Sequence, residues 1–367
     1  MRVLVTGANG FIGKNLLVRL REQGIEIISF LRNMTSTDLA EILNEVDFIF
    51  HLAGVNRPKD AEEFSEGNAE LTQQLCNLIR ATGRCIPVLY SSSIQAESGN
   101  PYGVSKRAAE DALLALAKDT GSPVYLYRLP NVFGKWSRPN YNSAVATFCH
   151  NIANDLPIHL NDPSASVRLV FIDDVIHDFL QLLTNQPAGV MWPEVSPEYK
   201  ITVGEMAGLI RSFKASRESL VTEAVGSGFI RALYSTYLSF LRPEQFSYTL
   251  PSHIDIRGRF VEVLKTKDAG QFSFFTAHPG ITRGGHYHHS KNEKFLVVQG
   301  RARFGFRHVG TGESYELYTD ADKPEVVETV PGWAHDITNV GDGEMIVMLW
   351  ANEMFDQKNP DTISHKV

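Results

Sequence analysis

The chain has 367 residues, 43% hydrophobic and 21% charged, the composition of a folded protein longer than a usual single domain. Its formal net charge of -7 gives no general reason to bind nucleic acid, and no apolar run reaches membrane-spanning length. Cys76, Cys85 and Cys149 are too widely spaced for a disulfide framework or a zinc knuckle, so they are expected to be reduced core residues.

The first apolar run, residues 3–6, predicts a strand that enters a Gly-rich turn with no room for a signal peptide, and the cytoplasm is the expected location. Helical patterns over 15–23, 39–44 and 72–81 alternate with strand-like runs over 25–30, 48–52 and 88–91. That alternation predicts a doubly wound parallel sheet with helices on both faces. Near residue 252 the texture changes to short β-rich runs over 260–265, 272–276, 295–299, 302–308, 326–330 and 345–350, which predict an all-β barrel or sandwich. Eight of the 12 histidines lie beyond residue 250, so the change is compositional as well. The junction is placed between Tyr234 and Ser252, where Pro243 and Pro251 punctuate the chain and 235–241 reads as a short helix or strand. The expected domains are 1–243 and 244–367.

Gly7-Ala8-Asn9-Gly10-Phe11-Ile12-Gly13 links the first strand to an amphipathic helix. Glycines there permit a tight turn and bring backbone N–H groups close to a pyrophosphate. Further on, Tyr102 and Lys106 stand four apart after Asn100 and Pro101, which suit a helix start, so they share one helical face. A Lys ammonium beside a phenol favours the phenolate, and the expected effect is a lowered Tyr102 pKa and a better proton donor. Ser93 would hydrogen-bond the carbonyl oxygen that Tyr102 protonates; Ser92 competes for that role.

With Asp47-Phe48-Ile49-Phe50-His51-Leu52-Ala53-Gly54, Arg128-Leu129-Pro130-Asn131-Val132-Phe133-Gly134 and Phe171-Ile172-Asp173-Asp174-Val175, these motifs resemble the extended short-chain dehydrogenase/reductase family over about 240 residues. The resemblance implies a Rossmann-type domain whose cofactor meets Gly7, Asn9, Gly10, Phe11, Ile12, Gly13, Leu52, Ala53, Gly54, Tyr102 and Lys106. Catalysis would fall to Ser93, Tyr102 and Lys106. The second strand ends Ser29-Phe30-Leu31-Arg32-Asn33, with no carboxylate for ribose hydroxyls and with Arg32 able to pair with a 2'-phosphate, so NADPH is the expected cofactor. Arg57, Asn131, Lys135, Arg138, Asn140, Asn142 and Arg168 are candidates for gripping a substrate diphosphate or sugar.

In the β-rich part, His286, His288 and Glu293 precede His335. Residues two apart on a strand share a face, so the two histidines can reach one point while a second strand returns past it. Imidazole-rich ligation with one carboxylate suits several transition metals. The spacing resembles the two signature motifs of the cupin superfamily, with the second motif compressed around Pro331-Gly332-Trp333-Ala334-His335. Tyr287, His289, Lys294 and His308 are titratable neighbours in sequence.

The order reductase then cupin, with strings such as His51-Leu52-Ala53-Gly54-Val55-Asn56-Arg57-Pro58 and Lys291-Asn292-Glu293-Lys294-Phe295-Leu296, is similar to a family of capsular polysaccharide synthesis enzymes along essentially the whole chain. That likeness implies a zinc-carrying homodimer acting on a UDP-amino sugar in the making of UDP-N-acetyl-L-fucosamine. The cupin would epimerise carbon 3 of a UDP-4-keto-6-deoxy sugar, and the reductase would reduce carbon 4 to give UDP-2-acetamido-2,6-dideoxy-L-talose. Two other readings stay open at this point: a 4-ketoreductase whose cupin is only structural, and an NADP(H)- or sugar-sensing regulator.

Overall fold

The computed structural model describes residues 1–58, 60, 62–250, 253–255, 258–260, 263–266, 270–353 and 358–367. Val261 and Glu262 of the expected strand over 260–265, and Pro251 and Ser252 of the junction, lie outside the described residues. The chain divides into two compact units. One comprises Met1–Ser143 with Val167–Lys200, the other Ala144–Ser166 with Ile201–Val367. This division follows packing, whereas the boundary at 243/244 follows the change in sequence texture.

In chain order the elements are β1 (Arg2–Thr6), α1 (Phe11–Glu22), β2 (Glu26–Phe30), α2 (Ser36–Leu43), β3 (Phe48–His51), α3 (Glu62–Phe64), a π-helical turn (Ser65–Glu70) and α4 (Leu71–Thr82). There follow β4 (Val88–Ser93), α5 (Pro101–Thr120), β5 (Val124–Leu129), β6 (Asn131–Phe133), α6 (Ala144–Ala153), β7 (Ser166–Phe171), α7 (Ile172–Thr184) and β8 (Val190–Met191). The first unit carries a six-stranded sheet in the order β2-β1-β3-β4-β5-β8. Its strand pairings are all parallel, as the strand–helix alternation predicts.

Local chemistry sets the helix ends. Thr35 closes a capping box with Asp38 at α2, and Asn100 caps α5 through the Gly103 amide at 2.8 Å, with Pro101 in the first turn. One layer of helices covers the sheet through Leu39, Leu43, Leu75, Ile79, Leu113 and Leu116, packed on Leu4, Ile49, Val88 and Leu126. Burying each such side chain contributes roughly 1.5–3 kcal/mol.

In the second unit, α6 packs with α8 (Val203–Ser219) and α9 (Gly228–Leu238). Residues 235–238, part of the stretch left as helix or strand, are thus the end of a helix, buried from Ala232 onward. The β-rich part forms two five-stranded sheets. The first runs Ser247–Thr249, Glu325–Glu328, Glu293–Gln299, Met345–Ala351, Gln271–Ala277; the second runs Ser314–Asp320, Arg301–His308, Trp333–Asn339, Thr282–Tyr287, Ile363–Ser364. Their pairings are antiparallel. Among the described residues, no helix is long and apolar enough to cross a membrane.

Candidate active site and candidate metal centre

The Gly-rich turn leaves β1 with Gly7 at φ 69°, in the left-handed region that glycine tolerates best. A Cβ at Gly7 would stand 2.6 Å from the Ala53 nitrogen, and one at Gly13 would stand 2.3 Å from the Gly7 carbonyl. Both positions therefore need glycine for close backbone approach. No side chain caps α1 at Gly10, and its first turn holds no carboxylate. Free N-terminal amides and an unopposed helix dipole make this turn fit for a pyrophosphate. Asn9 and Gly10 are exposed, Phe11 and Ile12 half-buried, and Gly13 buried.

Leu52, Ala53 and Gly54 follow β3 beside this turn, and the Leu52 and Ala53 amides donate to the Thr6 hydroxyl at 3.2 and 3.1 Å. A Cβ on Gly54 would meet the Asn68 side-chain oxygen at 2.7 Å and the Lys106 ammonium at 3.5 Å, so glycine lets the backbone lie against that lysine. Arg32 is exposed, two residues past the end of β2, at the same sheet edge as the Gly7 turn.

Strand alternation at the end of β4 gives the two serines different surroundings. Ser92 donates to Glu110 Oε1 at 2.6 Å, while Ser93 accepts the Gln95 amide at 3.2 Å and acts to lower the Tyr102 pKa. Glu110 is fully buried and also holds Arg128 through bonds of 2.9 and 2.7 Å, a group that local motif reading passed over. Ser92 is thus a structural partner of Glu110, and Ser93 faces the phenol.

One expectation is corrected. Burial raises the Tyr102 pKa, and the Ser93 hydrogen bond only partly opposes it. Lys106 does not offset this, because its ammonium donates to the Ser91 carbonyl at 2.7 Å and the Tyr90 hydroxyl at 3.1 Å. Burial lowers Lys106 itself to about 7, with Glu110 working against the shift.

The substrate candidates separate by environment. Lys135 is buried and paired with Asp173 at 2.6 Å, and the Arg168 guanidinium is held by both Glu198 oxygens at 2.6 and 2.7 Å. Exposed Asn131 donates to the Arg168 carbonyl at 3.1 Å. Arg138 covers the Tyr141 ring at 4.9 Å; Asn140, at a left-handed φ of 53°, and Asn142 are exposed on the same segment. Arg57 is exposed beyond β3.

In the second unit, His286 on Thr282–Tyr287 stands opposite His335 on Trp333–Asn339, His288 follows, and Glu293 opens a strand of the other sheet. One ligand atom from each of the four lies within 4.8 Å of all the others. His288 Nδ1 donates to the Asp361 carbonyl, and its Nε2 stands 3.1 Å from Glu293 Oε2. An outer partner on the far ring nitrogen is the arrangement that orients a metal-ligating histidine. Both ring nitrogens of buried His335 lack a hydrogen-bond partner, and its Nε2 is 3.5 Å from Glu293. The donor set thus fits a divalent transition metal.

Burial lowers His286 to about 3, reinforced by His335 and His288. Burial works to raise Glu293, but His288 and His335 overcome it and hold the carboxyl well below its ordinary value.

Among the titratable neighbours, Lys294 is corrected out of the centre. Alternation turns it to the opposite face of its strand, where it pairs with buried Glu328 and donates to Tyr248 at 2.9 Å. His308 Nδ1 accepts the Gly310 and Thr311 amides, both at 3.0 Å, so its ring serves its own turn. Buried Tyr287 packs its ring against His289 and His365.

Comparison with known proteins followed the same two parts. The NAD dependent epimerase/dehydratase family matches residues 3–192, and the polysaccharide biosynthesis C-terminal domain matches residues 253–363. A UDP-2-acetamido-2,6-beta-L-arabino-hexul-4-ose reductase from Pseudomonas aeruginosa is 61% identical, covering 100% of this chain and 99% of that protein. The crystal structure of the capsular polysaccharide assembling protein CapF from Staphylococcus aureus is similar at 43% identity and a TM-score of 0.69, covering 100% of both chains. CapF with the inhibitor 3-isopropenyl-tropolone matches at 39% identity and a TM-score of 0.64, again over 100% of both.

Proposed function

The chain belongs to the NAD dependent epimerase/dehydratase family and, within it, to the CapF-like capsular polysaccharide enzymes, and from that premise we propose its chemistry. It is a nucleotide-sugar 4-ketoreductase of capsule or polysaccharide biosynthesis that uses a nicotinamide dinucleotide. A glycine cradle whose Gly54 lies against the Lys106 ammonium, in a chain 61% identical to a UDP-sugar 4-keto reductase, carries this reading.

In the finer reading the cofactor is NADPH, which Arg32 supports by offering a cation at the ribose end of the site. When bound, NADPH supplies hydride to carbon 4 of the sugar. Tyr102 would hand its proton to the carbonyl oxygen, and the Ser93 hydroxyl would hold that oxygen by a hydrogen bond. Lys106 would orient the ribose of the bound cofactor. Arg57, Asn131, Lys135, Arg138, Asn140, Asn142 and Arg168 remain candidates for the UDP-sugar, with Lys135 and Arg168 needing to leave Asp173 and Glu198 to take part.

The same reading makes the second unit a cupin-type 3-epimerase, supported by two antiparallel sheets that converge on His286, His288, Glu293 and His335. A divalent cation there, zinc by family likeness, would supply Lewis acidity that makes the proton beside a ketone removable. A tropolone inhibitor of CapF is consistent with metal chemistry, because adjacent oxygens on that ring chelate cations. Epimerisation at carbon 3 followed by reduction at carbon 4 gives UDP-2-acetamido-2,6-dideoxy-L-talose on the way to UDP-N-acetyl-L-fucosamine. The reading includes a homodimer, supported by the edge strand Gln271–Ala277, on which Phe272 and Phe274 are 46% and 70% exposed.

The test is incubation of the UDP-4-keto sugar with the protein in deuterated water without NADPH. Deuterium at carbon 3 is expected, and a His288→Ala protein should lose the exchange while still binding NADPH. Reduction without any exchange would leave a ketoreductase whose second unit is structural.

A further inference from the structure

Beneath Ser93, Tyr102 and Lys106 lies a row of polar side chains that the chemistry above does not use. Thr6, His51, Thr72 and Tyr90 are each at most 1% exposed. Such groups remain in a core only when hydrogen-bonded, and here the partners fix the direction of each bond. The Thr72 hydroxyl donates to the Asn68 carbonyl at 2.6 Å, because a carbonyl can only accept. Thr72 therefore accepts from His51 Nε2 at 2.9 Å. With Nε2 protonated, His51 Nδ1 is an acceptor, and the Thr6 hydroxyl donates to it at 2.8 Å. Thr6 in turn accepts the Leu52 and Ala53 amides of the dinucleotide turn. At the other end, Tyr90 accepts from the Lys106 ammonium at 3.1 Å.

We propose that Tyr90, Thr72, His51 and Thr6 are positioning residues: a directed Thr72–His51–Thr6 hydrogen-bond chain, on which the Tyr90 ring stacks, ties the Lys106 ammonium to the backbone of the cofactor turn. The inference rests on the reductase reading for its catalytic consequence, but the chain itself is a property of the fold. Its members are uncharged at neutral pH: burial lowers His51 to about 3, with Lys106 adding to the effect, and burial holds Tyr90 well above its ordinary value. The chain thus offers dipoles and no counter-charge. The titratable groups acting on Lys106 or on Tyr90 are Glu110, His51 and Tyr102. His51 also stacks on the Tyr90 ring, with centroids 5.3 Å apart, which keeps the phenol in line.

Two measurements test the proposal. In histidine-labelled protein, nitrogen NMR should show His51 as a single Nε2–H tautomer that does not titrate between pH 5 and 9, and Thr72→Val should displace its ring shifts. A His51 ring that titrates near its ordinary pKa, or that carries its proton on Nδ1, overturns the chain whatever the protein catalyses. In the NADPH-dependent reduction, Tyr90→Phe removes an acceptor that favours the charged lysine, so Lys106 loses its proton at lower pH. The expected result is kcat down about tenfold, with the alkaline limb of its pH profile moved toward acid. KM for the sugar should change less than threefold. Thr72→Val should act in the same direction, and Thr72→Ser should restore the wild-type profile. A folded Tyr90→Phe protein with a wild-type pH profile overturns the positioning role. A wild-type protein that reduces no 4-keto sugar would instead remove the reductase reading, and the NMR result would still decide the chain.

Discussion

His288 donates its Nδ1 proton to the Asp361 main-chain carbonyl, and the Asp361 carboxylate simultaneously accepts the amides of His289, Ser290 and Lys291 at 2.7–2.9 Å. One residue far along the chain thereby orients a ligand ring and pins the loop between His288 and Glu293. The neighbouring His289 and those amide bonds overcome burial and hold the Asp361 carboxyl below its ordinary value.

Asp361→Ala should therefore weaken metal binding although Asp361 is not among the four ligands. Alanine keeps the main-chain carbonyl that accepts from His288 and removes only the carboxylate that pins the loop, so a loss of about tenfold, the low end for an outer partner, is expected. Competition against a chromophoric chelator measures it directly. Equal affinity in the two proteins would mean that the loop holds its shape without this anchor.

Lys294, Glu328 and Arg217 form a buried ionic cluster on the far side of the same strand, with Arg217 2.6 Å from Glu328. Burial favours the neutral forms, yet Glu328 keeps Lys294 well above its ordinary pKa. Glu328→Leu would strand two buried cations and is expected to cost about 3–5 kcal/mol. Replacing Lys294, Glu328 and Arg217 together by apolar residues should recover much of that loss. Thermal and urea unfolding of the single and triple variants would show whether the cost comes from unpaired charge or from lost volume.

Local pattern made part of this molecule legible. Gly7, Gly10 and Gly13, the four-residue step from Tyr102 to Lys106, and the run from His286 to Glu293 are short-range signals, because turn geometry and helix or strand periodicity act over a few residues. Glu110, His51 and Thr72 carried no such signal. Their partners come from other strands and helices, 18 to 45 positions away for Glu110 with Ser92 and His51 with Thr6. The rise in the Tyr102 pKa was misread for the same reason: proximity to a lysine is visible in a sequence, whereas desolvation depends on everything packed around the phenol.

Lys106 gives stability a pH dependence with a definite sign. Its folded value of about 7 lies below the ordinary 10.5, so between those limits the unfolded chain binds more protons and stability rises with pH. The penalty is fully present below about pH 7 and gone above about pH 10.5. Thermal unfolding of cofactor-free wild type and Lys106→Met at pH 6 and pH 9 should bring the two midpoints closer to each other, or reverse their order in favour of the variant, at the lower pH. A constant difference at both values would mean that Lys106 keeps its ordinary pKa when buried.

Arg32 should govern cofactor choice because it is exposed at the edge that carries the dinucleotide turn. Arg32→Ala is expected to raise KM for NADPH about tenfold while leaving NADH almost unchanged. An unchanged ratio of the two kcat/KM values would assign the preference elsewhere.

Tyr102→Phe separates proton delivery from everything else at the reductase site. The ring keeps its place beside Phe64, 5.7 Å away, and only the hydroxyl that meets Ser93 is lost. A positioned acid contributes about 10²–10⁴-fold, so kcat for ketone reduction should fall within that range while the Kd for NADPH stays within threefold. Ser93→Ala should fall less, because water can replace one hydrogen bond to the carbonyl oxygen more readily than it can replace a proton donor. Deuterium exchange at carbon 3 should survive both changes, since His286, His288, Glu293 and His335 contain none of the altered atoms. A Tyr102→Phe protein that reduced the ketone at the wild-type rate would transfer the acid's role to another group, and exchange lost together with reduction would deny the second unit its separate chemistry.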